Sequence, residues 1–201
     1  MNLITAKLWL MTIAVLITLS GATISTTTAW GDTIQCIGED SCYNSRSSGS
    51  TPESDVITGT AFLPENIIAL AGDDVVYAFG GADHIDGDED SDFIDAGPGS
   101  DVVDGGSEDD TIVGGEGDDR LEANLGNDRV LGGAGNDIVS GSIGDDNLVG
   151  NEGDDDFYGG PGRDQFWCDS GTDTIHDYSQ AEGDKIMSEA DCEMVKPISV
   201  I

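Results

Sequence analysis

From Ala69 to His176 short apolar stretches alternate with glycine and small polar residues at a fixed interval of nine, without an insertion. Position eight of each unit is apolar in all twelve: Val76, Ile85, Ile94, Val103, Ile112, Leu121, Val130, Val139, Leu148, Phe157, Phe166 and Ile175. Positions seven to nine carry strand formers around that one inward residue, while positions one to six are mostly residues that turn easily. Each unit is therefore a sharp turn and a very short strand. Three residues bury almost nothing alone, so the units must stack, two to a coil, with the position-eight side chains meeting between two parallel sheets. The pattern predicts an all-β fold, a parallel β-roll of six coils.

The sixth position of every unit is aspartate: Asp74, Asp83, Asp92, Asp101, Asp110, Asp119, Asp128, Asp137, Asp146, Asp155, Asp164 and Asp173. Position four is glycine in ten units, the exceptions being Asp90 and Glu108. With 30 Asp in 201 residues, about one in seven, twelve of twelve is not an accident of composition. A fixed period marks a repeat architecture. Coils stacked at about 4.8 Å place Asp74, Asp92, Asp110, Asp128, Asp146 and Asp164 along one edge and the other six along the opposite edge. Carboxylates at that spacing repel by roughly 3 to 4 kcal/mol at an effective dielectric of 20, and the penalty recurs at each step. A cation converts it into a cross-link. Calcium takes six to eight oxygens, carboxylate and main-chain carbonyl alike, and glycine-rich turns expose such carbonyls. Six Asp per edge leave five gaps, so two edges offer at most ten sites (5 + 5).

The repeat resembles the RTX (repeats-in-toxin) hemolysin-type calcium-binding nonapeptide, G-G-x-G-x-D-x-U-x. The purest copies are Gly114-Gly115-Glu116-Gly117-Asp118-Asp119-Arg120-Leu121-Glu122 and Gly132-Gly133-Ala134-Gly135-Asn136-Asp137-Ile138-Val139-Ser140. Asp177 to Ile186 is similar to the segment that commonly follows the last repeat. The resemblance implies a right-handed parallel β-roll in which the position-six carboxylates of units i and i+2 share one calcium ion with turn carbonyls, making all twelve Asp metal ligands. Ala69-Leu70-Ala71 and Ala78-Phe79 are poor turn sequences, so fewer than ten ions are expected, the best sites lying between about Gly97 and Gly171. Acidic glycine-rich tracts are commonly disordered. The periodic apolar positions restrict that reading to the calcium-free state.

Residues 1–29 hold one Lys, an apolar run from Leu8 to Leu19, then small polar residues with cleavage candidates after Ala22 and Ala29. This is the build of a secretory signal peptide. The alternative, a membrane anchor, needs roughly 20 apolar residues. Relatives of this kind are often exported through an uncleaved carboxy-terminal signal instead, a departure that leaves the secretion route open. Residues 30–54 read as linker with a small disulfide loop, and 55–201 as the roll with its caps (repeats 69–176), Asp55 to Leu70 covering the first coil. The four cysteines, Cys36, Cys42, Cys168 and Cys192, favour disulfides in an exported chain. Proximity suggests Cys36 with Cys42 and Cys168 with Cys192, among three possible connectivities.

Removal of residues 1–29 takes the formal charge from -34 to 6 minus 41, or -35. That excludes nucleic acid and anionic membrane as direct partners, and no membrane insertion is expected after signal removal. Ten divalent ions would leave about -15 by this count.

Competing motifs are weak. Asp169-Ser170-Gly171-Thr172 matches a short aspartic-peptidase string but occupies positions two to five of the twelfth unit. Asp86, Asp88, Asp90 and Asp92 imitate an EF-hand loop, yet Ser91 and Gly97 stand where its glycine and glutamate belong. His84 and His176 lie on different units without a nucleophile motif, so no catalytic residue is assigned. Only about 40 mature residues precede the roll and about 25 follow it, too few for a catalytic domain such as the hydrolases and epimerases to which relatives append these repeats. Position nine of the odd units forms one column, Tyr77, Asp95, Val113, Leu131, Val149 and Trp167, whose last four members could dock a protein or polysaccharide. The expected function is a secreted, non-enzymatic calcium-binding protein with a structural or interaction role. Recognition of polysaccharide or another surface ligand is the alternative, and a small RTX-type hydrolase or epimerase ranks after it.

Overall fold

The structure, a computed structural model, describes residues 54–188 and, outside that span, four short strands between Ile24 and Met194. In chain order the strands are β1 (Ile24–Thr26), β2 (Thr33–Gln35), β3 (Cys42–Tyr43), β4 (Val56–Thr58), β5 (Asn66–Ile68), β6 (Val75–Tyr77), β7 (His84–Asp86), β8 (Phe93–Pro98), β9 (Val102–Ser107) and β10 (Thr111–Glu116). They continue with β11 (Arg120–Leu125), β12 (Arg129–Ala134), β13 (Ile138–Ser140), β14 (Asn147–Glu152), β15 (Asp156–Tyr158), β16 (Gln165–Trp167), β17 (Asp173–Ile175), β18 (Lys185–Ser188) and β19 (Cys192–Met194). No helix occurs among the described residues. After β3 the chain alternates strictly between two sheets, the even strands building one and the odd strands the other. Every pairing is parallel except β1 with β2. Within the repeats the register is eighteen residues, as in Ile112↔Ile94 and Leu121↔Val103. Two nonapeptides therefore close each coil.

Position eight makes the core. All twelve of its residues are at most 1% exposed, in one continuous cluster that Ile57 and Ile67 extend forward. Toward the far end the core residues grow to Phe157 and Phe166, packed edge to face at 6.0 Å. These rings need glycine at position one of their own units. A Cβ on Gly150 would lie 3.0 Å from the Phe157 ring, and one on Gly159 2.8 Å from that of Phe166.

The roll is longer than six coils. Strands β4 and β5 add a coil in front of the twelve nonapeptides and β18 and β19 add one behind, giving eight (6 + 1 + 1). Asp55 to Leu70 is thus a coil of the ladder rather than a covering segment. Its extra residue lies in the turn between β4 and β5: Val56 pairs with Val75, nineteen residues on, while Asn66 pairs with His84, eighteen on. At the other end a two-residue insertion before β18 shifts the pairing to Gln165↔Lys185. Strands β2 and β3 fall in the segment read as linker and join the front of the two sheets. The expected Cys36–Cys42 pairing and most of the signal segment lie outside the described residues.

Many strands run for six residues, not three, continuing through positions one to three. They do so although position two has positive φ in all twelve units. Gly, Asn and Asp tolerate this region, but Leu70 (φ 78°) and Phe79 (φ 71°) do not. The poor copies thus adopt the same backbone as the good ones, held by neighbouring coils, as where Glu89 N–H donates to Leu70 O at 2.9 Å.

Candidate metal-binding edges

Each position-six Asp follows a tight turn and stands at the start of a strand, Asp173 being the first residue of β17, and the eighteen-residue register stacks it on its counterpart one coil away. The structure assembles the two predicted rows: Asp74, Asp92, Asp110, Asp128, Asp146 and Asp164 on one edge, and Asp83, Asp101, Asp119, Asp137, Asp155 and Asp173 on the other. All twelve are buried, with at most 4% of their surface exposed. Their orientation is set by a main-chain ladder. The N–H of Asp74 donates to Oδ1 of Asp92 at 2.8 Å, that of Asp92 to Asp110 at 2.8 Å, and so on to Asp146 and Asp164 at 3.0 Å. The opposite edge repeats it from Asp83 and Asp101 at 2.7 Å to Asp155 and Asp173 at 2.9 Å.

With Oδ1 so engaged, Oδ2 is turned inward. From Asp74 to Asp164 along the chain this second oxygen is buried and meets no hydrogen-bond donor. It lies against position one of its own unit, where a Cβ on Gly87 would be 2.5 Å from Asp92 Oδ2 and one on Gly114 2.5 Å from Asp119 Oδ2. An ionised oxygen held this way is heavily penalised unless a cation or a proton reaches it. Burial accordingly pushes Asp92 up to about 8. Burial likewise lifts Asp74, Asp110, Asp119, Asp155 and Asp164 to about 7. Asp83, Asp128, Asp137 and Asp146 reach about 6 by the same cause, and Asp101 is raised as well. The amide from the adjoining coil acts in the opposite direction without cancelling the effect.

Main-chain carbonyls of position one approach the same places: a Cβ on Gly87 would be 2.3 Å from Gly105 O, and one on Gly114 2.6 Å from Gly132 O. Coils approach so closely at positions two and four that a Cβ on Gly115 would sit 2.1 Å from Gly97 O, and one on Gly117 1.5 Å from Gly99 O. Among the described residues no three His, Cys, Asp or Glu side chains converge on a point. A cation between two coils would therefore complete its shell with main-chain carbonyls, such as those of position one, and water. The donor set is all oxygen, which suits a hard ion with a flexible, many-membered shell. The residues present fit calcium.

Sequence reasoning passed over position five. Its side-chain oxygens form a second ladder of opposite polarity: Asn136 N–H donates to Asp118 Oδ1 at 2.8 Å, and Asp154 N–H to Asn136 Oδ1 at 2.8 Å. The other edge has the same arrangement from Asp109 through Asn127 and Asp145 to the Arg163 N–H. The position-four exceptions also have a use, since Gly72 N–H donates to Asp90 and Asp90 N–H to Glu108, each at 3.2 Å. The EF-hand-like acids do not converge: Asp92 is in the edge row, whereas Asp86 lies outside on β7. His176 bonds Asp156 at 2.7 Å and stacks on Tyr158 at 4.5 Å on the outer face of the odd-stranded sheet.

Stacked nonapeptides with buried carboxylate rows along both edges define a calcium-binding β-roll. The family model for the RTX calcium-binding nonapeptide repeat (4 copies) matches residues 64–94, 82–112, 95–130, 104–139 and 140–175. These matches span more than half of the chain, and the protein belongs to that family. No match to a curated protein was found.

Proposed function

We propose that this is an exported calcium-binding protein whose roll folds as calcium enters between coils, with a non-catalytic role as a structural or interaction module at or outside the cell surface. The observation that carries the reading is the file of buried Oδ2 atoms without donors, from Asp74 to Asp164, on both edges. The twelve position-six Asp are its ligands, at most ten ions lying between them. Such modules often bind at about 10⁻⁴ to 10⁻³ M, so the chain is loose where calcium is scarce and rigid where it is plentiful. The leader-like residues 1–29 support export. So does the geometry of Cys168 and Cys192, whose Cα atoms are 5.6 Å apart, within disulfide reach. Counting calcium by native mass spectrometry at neutral pH tests the proposal: several ions per chain are expected, and a metal-free chain at millimolar calcium would refute it.

A second reading concerns the even-stranded sheet. The registers align Val113, Leu131, Val149 and Trp167 on successive strands, forming a half-exposed apolar column. On the odd-stranded sheet the matching positions are largely polar, from Asp86 and Asp104 to Glu122 and Ser140. The asymmetry favours the even face for docking a protein or polysaccharide. Leu131→Asp combined with Trp167→Asp should abolish capture of a partner from the native envelope while leaving calcium-induced folding intact. Undiminished capture removes the docking role.

A further inference from the structure

The first coil carries an acid that the nonapeptide pattern does not include. Glu65 lies eighteen residues before Asp83 and only 4% of its surface is exposed. Its main chain behaves as a position-six residue: the N–H donates to Asp83 Oδ1 at 2.8 Å, and the carbonyl accepts from His84 N–H at 2.8 Å. Its side chain matches at one oxygen, Oε2, while Oε1 is held within its own turn and not by the coil before it. Oε1 accepts from Thr60 N–H at 3.0 Å, and Oε2 is buried with no donor. A Cβ on Gly59 would lie 2.7 Å from Oε2 and 2.4 Å from Ala78 O, the same two neighbours that a Cβ on Gly114 meets in Asp119 Oδ2 at 2.5 Å and Gly132 O at 2.6 Å. From Gly59 to Glu65 is six residues where each nonapeptide has five. The longer glutamate side chain keeps its carboxylate at the corresponding place beside the longer turn.

We propose that Glu65 is a calcium ligand, sharing an ion with Asp83 Oδ2 and turn carbonyls, so that the file on this edge begins one coil before the first nonapeptide. This rests on the calcium reading of the edges. Burial alone does not make a ligand, as the other end of the roll shows. Asp184 is also buried at 5% exposed, and it accepts Asp164 N–H on Oδ1 at 3.1 Å and Ser179 N–H on Oδ2 at 2.6 Å. Its second oxygen is occupied by a protein amide, and that edge closes without needing an ion beyond Asp184. Glu65 Oε2 has no such amide.

The test is Glu65→Gln, which keeps the acceptor for Thr60 and removes the charge, against the exposed Glu116→Gln as control. Native mass spectrometry of the calcium-saturated chains should show one ion fewer in Glu65→Gln than in the unaltered protein or the control, with the same β-rich circular dichroism. Equal ion counts would overturn the assignment while leaving the calcium reading intact, whereas absence of calcium from the unaltered chain would defeat that reading itself. Should Glu65→Gln fail to fold, anomalous diffraction from crystals of the unaltered calcium-loaded chain decides: a peak beside the Glu65 carboxylate supports the site. Peaks beside Asp119 and its neighbours with none at Glu65 exclude it.

Discussion

Gly117→Ala should lower the unfolding free energy of the calcium-loaded roll by more than about 3 kcal/mol, while the neighbouring Glu116→Ala leaves it within about 0.5 kcal/mol. Gly117 has φ +125°, and its Cβ position lies 1.5 Å from Gly99 O, a main-chain atom that cannot rotate aside. Alanine there must push adjacent coils apart. Separation breaks the Gly99 N–H to Glu116 O bond of 2.7 Å and alters the spacing of the stacked edge carboxylates. Asp90 and Glu108 occupy position four at φ 77° and 74°, so the prediction depends on this particular backbone conformation and close approach, not on glycine in general. Thermal unfolding at saturating calcium checks it, with a midpoint lower by about 6 to 12 °C expected at roughly 2 to 4 °C per kcal/mol. A midpoint equal to that of Glu116→Ala would mean that the coils tolerate the separation.

The second large effect is folding by acid without metal. In the folded roll ten of the edge aspartates, from Asp83 at about 6 to Asp92 at about 8, are held well above the ordinary value of 3.8 by burial. The folded state therefore retains protons that the unfolded state has released. This contribution to stability is fully present below about pH 4 and is lost as pH rises through about 6 to 8. For an Asp raised to about 7, moving from pH 8 to pH 5 restores on the order of 2 to 3 kcal/mol. Summed over the rows, that exceeds the 5 to 15 kcal/mol by which a domain is typically stable. The chelated protein should be a random coil at pH 8 and β-rich at pH 5, which is still above the isoelectric point near 4.1. A chelated chain equally unstructured at both values would contradict the buried, protonatable edge.

The features of the fold legible in the sequence were those set by strict periodicity. Position eight named the core, position six named both edge rows, and the column of Val113, Leu131, Val149 and Trp167 fell on one sheet as expected. What escaped was structure that tolerates a broken period. The first and last coils keep their core residues Ile57, Ile67 and Ile186 but absorb their insertions in turns, so the interval of nine no longer reveals them. Position five escaped because Asp, Asn, Ser and Arg can all serve in its ladder: a residue need only supply a main-chain N–H to one neighbour, and an oxygen only where another coil follows. Leu70 and Phe79 looked unsuited to their turns because local preference was judged without the adjoining coils, whose hydrogen bonds impose the backbone.

The decisive measurement is circular dichroism of the chain at pH 7.5, first freed of metal by a chelator and then titrated with calcium or magnesium. Calcium at submillimolar to millimolar concentration should drive a cooperative change from coil to β structure, and magnesium a much weaker one, because its shorter bonds and near-octahedral shell do not suit the spaced oxygens of the edges. A chain that stays β-rich under chelation at that pH, or remains a coil at millimolar calcium, would contradict calcium-coupled folding.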